Sequence, residues 1–157
     1  MICSGNICRS PMAEVIGRRL LDEAGIDADV SSAGTLRIED QPAARNARHA
    51  TLEIGLDLEQ HRSQGISFEI IDATDVFIVM SPEHEHGLRE LSSAVTGKIE
   101  RLWEHTDEPG RLDEIRDPVG QDVDAFRRCR DEIVECLRNW VASLASERSS
   151  SFRLSTD

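Results

Sequence analysis

The residues most able to do chemistry lie together near the start of the chain: Cys3-Ser4-Gly5-Asn6-Ile7-Cys8-Arg9-Ser10-Pro11. A thiol is followed six positions later by an arginine and then by a helical pattern. A loop this short can curl its backbone N–H groups inward and, with a helix N-terminus behind it, form a cradle for an anion. Gly5 is expected to give the conformational freedom for the curl. The planar fork of Arg9 suits two phosphate oxygens. Cys3 would sit at the base of the cradle, where a positive environment favours the nucleophilic thiolate. The loop lacks the Gly-Lys-Ser/Thr of a Walker A motif and the glycine spacing of a dinucleotide fingerprint.

A thiolate attacking phosphorus needs an acid to protonate the leaving oxygen. Asp117, in "IRDPVG", is the candidate, with Pro118 restricting it to extended geometry. An Asp-Pro pair taken alone reads as a simple turn.

The elements that must position these groups alternate. Ser10 is read as an N-cap and Pro11 as the first helical residue, with Met12, Val15, Ile16 and Leu20 on one apolar face and Gly25 at the end. "DADVSSAG" reads as a short strand, "PAARNARHATLEIG" as a second helix, and "DVFIVM" (75–80) as a strand covered on both faces. "SPEHEHGLREL" reads as a Ser-capped helix and "KIERLW" as a strand. A polar loop (104–121) precedes a long helix carrying Phe126, Cys129, Ile133, Cys136 or Leu137, Trp140 and Leu144. Alternation of this kind predicts an α/β fold: three layers, α/β/α, around a short, mainly parallel four-stranded sheet. Ligands in such sheets sit beyond the carboxyl ends of the strands. One domain is expected over 1–145, with 146–157 as a disordered tail.

Thirty acidic residues against eighteen basic give a formal charge of −12, and Lys98 is the single lysine. Such a surface repels nucleic acid and anionic membranes, so neither is expected as a partner. It suits either a salt-rich cytoplasm or an ordinary acidic cytosolic protein. No run of eighteen apolar residues is present and no signal peptide is read, so a cytoplasmic protein is expected. The four cysteines are not a disulfide framework, and no ligand spacing completes a metal site. Cys129 and Cys136 read as core. "HEHGL" lacks the second histidine of H-E-x-x-H, since residue 88 is leucine.

"CSGNICRSPMAE" together with the later "DPVG" resembles the low-molecular-weight protein tyrosine phosphatase family. "SSAGT", "GLDLEQHRSQ" and "ATDVFIVM" fall in the family's order, so the resemblance covers nearly the whole chain. It implies a cysteine-dependent phosphomonoester hydrolase acting on a phosphorylated protein or a small aryl phosphate, with no metal or organic cofactor. Cys3 is then the nucleophile that carries the phosphoryl group. Arg9 binds and stabilises the phosphoryl oxygens, and Asp117 is general acid and then general base. The N–H groups of Ser4, Gly5, Asn6, Ile7, Cys8 and Arg9 form the cradle. Ser10 donates toward the sulfur, and Asn6, Ser32 and His61 brace the loop; His61 otherwise reads as a surface histidine. Cys8 matches a second loop cysteine able to trap oxidised Cys3 as a disulfide, and also reads as a small core side chain.

Two features depart from the family. Only Met1 and Ile2 precede Cys3, so the first strand is expected to be truncated and unable to pair on both sides. The aromatic residues that wall the pocket of tyrosine-directed members are replaced by Val119 and by Leu36-Arg37-Ile38, while Ile7 resembles the tyrosine-directed members; phosphoarginine-directed relatives have threonine there. Two alternatives stay open. One is a thiol-coupled arsenate reductase, although "VMSPEHEHGLREL" supplies no resolving cysteine. The other is a non-catalytic phosphate-binding module.

Overall fold

The computed structural model describes residues 1–154, with side chains described to residue 146. A four-stranded, all-parallel sheet runs in the order β2-β1-β3-β4: β1 is Ile2–Cys3, β2 Ala33–Gly34, β3 Phe77–Val79 and β4 Ile99–Arg101. Five helices connect and cover it: α1 Arg9–Glu23, α2 Arg45–Leu52, α3 Phe68–Ala73, α4 Pro82–Leu91 and α5 Val123–Leu154. Parallel neighbours need right-handed crossovers. The chain steps one way across the sheet from β1 to β2 and the other way from β2 to β3 to β4. The same handedness therefore puts α1 on one face and α3 and α4 on the other. Helix α5 returns to the first face, packed on α1 and α2.

The first strand is as short as expected, but the expectation that it cannot pair on both sides is corrected. β1 is only two residues long, yet it is central, pairing Ile2 with both Ala33 and Val79. Its ladder runs past the assigned strand, because the Ala33 N–H donates to the Met1 carbonyl and the Thr35 N–H to that of Cys3. Burial adds to this, because Ile2 and Cys3 are both covered, as in a parallel strand packed on its two faces.

Other boundaries shift for local reasons. α1 begins at Arg9 behind Cys8, so Ser10 lies inside the first turn and caps nothing; its hydroxyl is engaged elsewhere. Leu21 rather than Leu20 completes the fully buried stripe with Met12, Ala13 and Ile16. Ser81 precedes α4 with Pro82 at its start, but its side chain does not cap the helix either. α3 escapes the pattern reading; its signal is Ser67, whose hydroxyl accepts from the Ile70 N–H. α5 continues through the stretch 146–154 expected as a disordered tail, and 155–157 lie outside the described residues. Cys129, Ile133, Cys136, Leu137, Trp140 and Val141 form its buried stripe.

Candidate active site

The loop between β1 and α1 is held from outside by its own carbonyls. The Cys3 and Ser4 carbonyls accept from Thr35 and Leu36 N–H, the Ile7 carbonyl from Ala44 N–H, and the Asn6 carbonyl faces His61 Nε2 at 2.8 Å. No backbone carbonyl among the described residues claims the N–H groups of Gly5, Ile7 or Cys8. Carbonyls tied outward leave N–H groups for the concave side, which is the anatomy of an anion cradle.

The curl itself corrects an expectation. The left-handed residue is Asn6, at φ 54°, and Gly5 is not in the left-handed region. Asparagine tolerates this conformation better than other non-glycine residues, and here its side chain holds the turn. Asn6 is fully buried; Nδ2 donates to Ser10 Oγ (2.9 Å) and Ser32 Oγ (2.8 Å), and Oδ1 accepts from the Gln64 N–H (2.9 Å). The Ser32 hydroxyl in turn donates to Glu14 Oε2 at 2.6 Å. The glycine that the loop does require is Gly34, on β2. A Cβ there would lie 2.7 Å from the Ser4 carbonyl oxygen and 2.9 Å from the Asn6 nitrogen.

Cys3 Sγ lies 2.9 Å from Ser10 Oγ and 3.3 Å from the Asn6 backbone nitrogen. Ser10 Oγ already accepts an Asn6 amide proton, so its own proton is free to point at the sulfur. Two donors thus converge on Sγ.

Arg9 is 4% exposed. Its Nη1 donates to the Ile115 carbonyl (3.0 Å) and its Nη2 to Asp117 Oδ2 (2.6 Å). Its Nε is buried without a partner among the described residues. The loop that carries Asp117 is anchored to the sheet, since the Ile115 N–H donates to the Met80 carbonyl just past β3. Asp117 Oδ1 accepts from the Val119 N–H, and Gln121 Nε2 donates to the Asp117 carbonyl. Leu36, beside the Ser4 carbonyl, and Val119, beside Asp117, are well exposed and give the site an aliphatic rim.

The structure brings together Cys3, Ser4, Gly5, Asn6, Ile7, Cys8, Arg9, Ser10, Ser32, His61 and Asp117. It also adds residues the sequence reading missed. Gln64 and Glu14 complete the brace, and His84 reaches the loop from α4, with Nε2 2.9 Å from Ser4 Oγ. In the sequence His84 belongs only to the incomplete HEHGL pattern, and nothing in its neighbourhood reports a contact 80 residues away. Burial first, and then the charge of Arg9, push its pKa down to about 4, so its imidazole is neutral near pH 7. Burial likewise raises the Cys8 thiol to about 12, helped by Asp117 and Cys3 and opposed by Arg9.

The sequence profile described as "Low molecular weight phosphotyrosine protein phosphatase" matches residues 1–150. The chain belongs to that family and is a cysteine-based phosphatase. It is 29% identical over 147 residues to a protein-arginine-phosphatase of Bacillus subtilis, covering 94% of this chain and 96% of the relative. It is 34% identical over 140 residues to arsenate reductase 1 of Staphylococcus epidermidis, covering 89% and 92% of the two chains. Among solved structures it is similar to the tyrosine phosphatase Wzb from Escherichia coli K30 in complex with sulphate: TM-score 0.81, 28% identity, 91% of this chain and 94% of that one. Among the described residues, no helix is long and apolar enough to cross a membrane.

Proposed function

We propose that Cys3 Sγ attacks the phosphorus of a phosphomonoester bound in the 4–9 loop. The S–P bond forms as the bond to the leaving oxygen breaks, and Asp117 gives that oxygen a proton. Water then attacks the cysteinyl-phosphate while Asp117 takes a proton from it, and the S–P electron pair returns to sulfur as inorganic phosphate leaves. Arg9 carries the equatorial oxygens; its unpartnered Nε and its fork supply fixed donors for their charge. The observation that carries this reading is the convergence of Ser10 and the Asn6 N–H on Cys3 Sγ. Those donors stabilise the sulfur's charge each time the S–P bond breaks. Asn6, Ser32 and His61 keep the loop in register.

The substrate is a phosphorylated protein side chain or a small aryl phosphate, with phosphotyrosine favoured by Ile7. The aliphatic rim and the Bacillus relative make phosphoarginine the comparison to run beside it. A thiol-coupled arsenate reduction is disfavoured because the segment from Val79 to Leu91 carries no resolving cysteine, which leaves that part to Cys8 or to an external thiol. Four unpaired thiols fit a reducing, cytoplasmic setting.

The test is phosphate release from an aryl phosphate, with a chelator present, by the wild-type chain and Cys3→Ser. Turnover lost in Cys3→Ser is the expected result. A folded chain that shows no turnover, or oxidises a thiol donor only with arsenate, would overturn the reading.

A further inference from the structure

His84 sits in the first turn of α4, is 1% exposed, and bridges two hydroxyls: Nδ1 is 3.0 Å from Ser81 Oγ and Nε2 is 2.9 Å from Ser4 Oγ. A neutral imidazole donates at one nitrogen and accepts at the other. Ser81 decides which. Its side chain is buried and its hydroxyl meets only His84 Nδ1 among the described residues. If Ser81 accepted there, its own proton would be left buried without an acceptor, whereas as a donor it loses nothing comparable. Ser81 therefore donates to Nδ1, and Nε2–H donates to Ser4 Oγ. Arg9 Nη2 approaches the same oxygen through a long contact of 3.5 Å. Ser4 Oγ then faces donors on two sides, and its own proton must point away from both.

We propose that His84 is a positioning residue that turns the Ser4 hydroxyl into a side-chain donor to the bound phosphoryl group, in a relay Ser81–His84–Ser4. Ser4 lies on the loop beside the Arg9 fork that also holds Asp117. A proton directed away from His84 and Arg9 there supplements the backbone donors of the cradle. The function differs from that of Arg9: the relay adds a hydrogen bond from an uncharged donor, whose direction is set from behind by the buried His84. This rests on the phosphate-binding reading of the loop given above.

The experiment measures inorganic phosphate binding by calorimetry, independent of turnover, together with kcat and KM for an aryl phosphate. The chains compared are wild type, Ser4→Ala, His84→Ala, His84→Gln and the Ser4→Ala/His84→Ala pair. Loss of one hydrogen bond to a charged group predicts phosphate binding weaker by about tenfold in Ser4→Ala and in His84→Ala. The loss falls mainly on KM. The pair is no worse than either single change, because both remove one relay. His84→Gln, whose amide can still donate to Ser4, recovers most of the affinity. Nitrogen-15 spectra of the wild type place the proton on Nε2. Unchanged phosphate affinity in Ser4→Ala, additive losses in the pair, or a proton on Nδ1 would each overturn the relay. Phosphate binding without Cys3-dependent turnover would overturn the hydrolase reading and leave the relay standing.

Discussion

Arg9 Nη2 donates to Asp117 Oδ2 across 2.6 Å, joining a buried guanidinium to a carboxylate that is 37% exposed and 108 residues away in the chain. The pair holds the two groups at one place before any phosphate arrives. Arg9 does not depend on it alone, because Nη1 is also tied to the Ile115 carbonyl. Asp117 can therefore turn to a leaving oxygen without releasing the arginine.

That separation predicts how Asp117→Asn fails. The cradle should still bind phosphate, while kcat falls by about 10²–10³-fold from loss of the proton donor. The loss should grow as the leaving group becomes more basic. A series of aryl phosphates of graded leaving-group pKa checks this; an equal loss across the series would remove Asp117 from the proton-transfer step.

Asn6 is the residue on which the loop turns. Asn6→Ala keeps the left-handed backbone without its side-chain bonds, leaves the Gln64 N–H without its acceptor, and removes the donor to the Ser10 and Ser32 oxygens. A cost of about 2–4 kcal/mol follows from unsatisfied buried groups together with an alanine at positive φ. Urea denaturation should show it, with turnover falling in parallel. A midpoint within error of wild type would mean that the loop is held by something other than this side chain.

Gly34→Ala tests the brace from the side of the sheet. Its Cβ would press on the Ser4 carbonyl and the Asn6 nitrogen, both backbone, so the loop must move rather than a flexible side chain. A loss of about 1–3 kcal/mol in stability is expected, with weaker phosphate binding because the displaced atoms belong to the cradle. Phosphate titration of the variant reads the second effect separately from the first.

His84 predicts a pH dependence with a definite sign. Its folded pKa is lowered from 6.5 to about 4, with Arg9 the charged group acting on it and Ser4 and Ser81 its neutral partners. Below about 6.5 the unfolded chain binds a proton that the folded chain refuses. This contribution is therefore full above that value and lost as the pH falls toward 4. The full difference is about 3 kcal/mol. His84→Gln should flatten the curve between those limits relative to wild type. Parallel curves for the two chains across pH 4–7 would contradict it.

Much of the site is legible in the sequence because its chemistry is local. The stretch from Cys3 to Pro11 holds the nucleophile, the arginine and the helix start within nine residues, and a loop that short has few ways to fold. The parallel sheet is legible too, since strands and helices alternate and burial on both faces writes continuous apolar runs such as Phe77–Val79. Local patterns are weaker guides where a side chain bonds another side chain instead of the helix backbone. Ser10 and Ser81 both read as helix caps, and each instead turns its hydroxyl to a nearby side chain, Ser10 to Cys3 seven residues back and Ser81 to His84 three residues on. Gly5 reads as the flexible point of the loop, but the left-handed turn falls on Asn6, where a side chain with three hydrogen bonds to neighbouring residues can hold it.

What the sequence determined by itself was therefore the reactive loop, the alternation of elements and the family's order of motifs. Tertiary structure alone decided that a two-residue β1 is central, that Asp117 meets Arg9, and that His84 stands behind Ser4. Pairing across 80 to 108 residues depends on how the crossovers stack the sheet. That stacking leaves no periodic trace near the residues it joins.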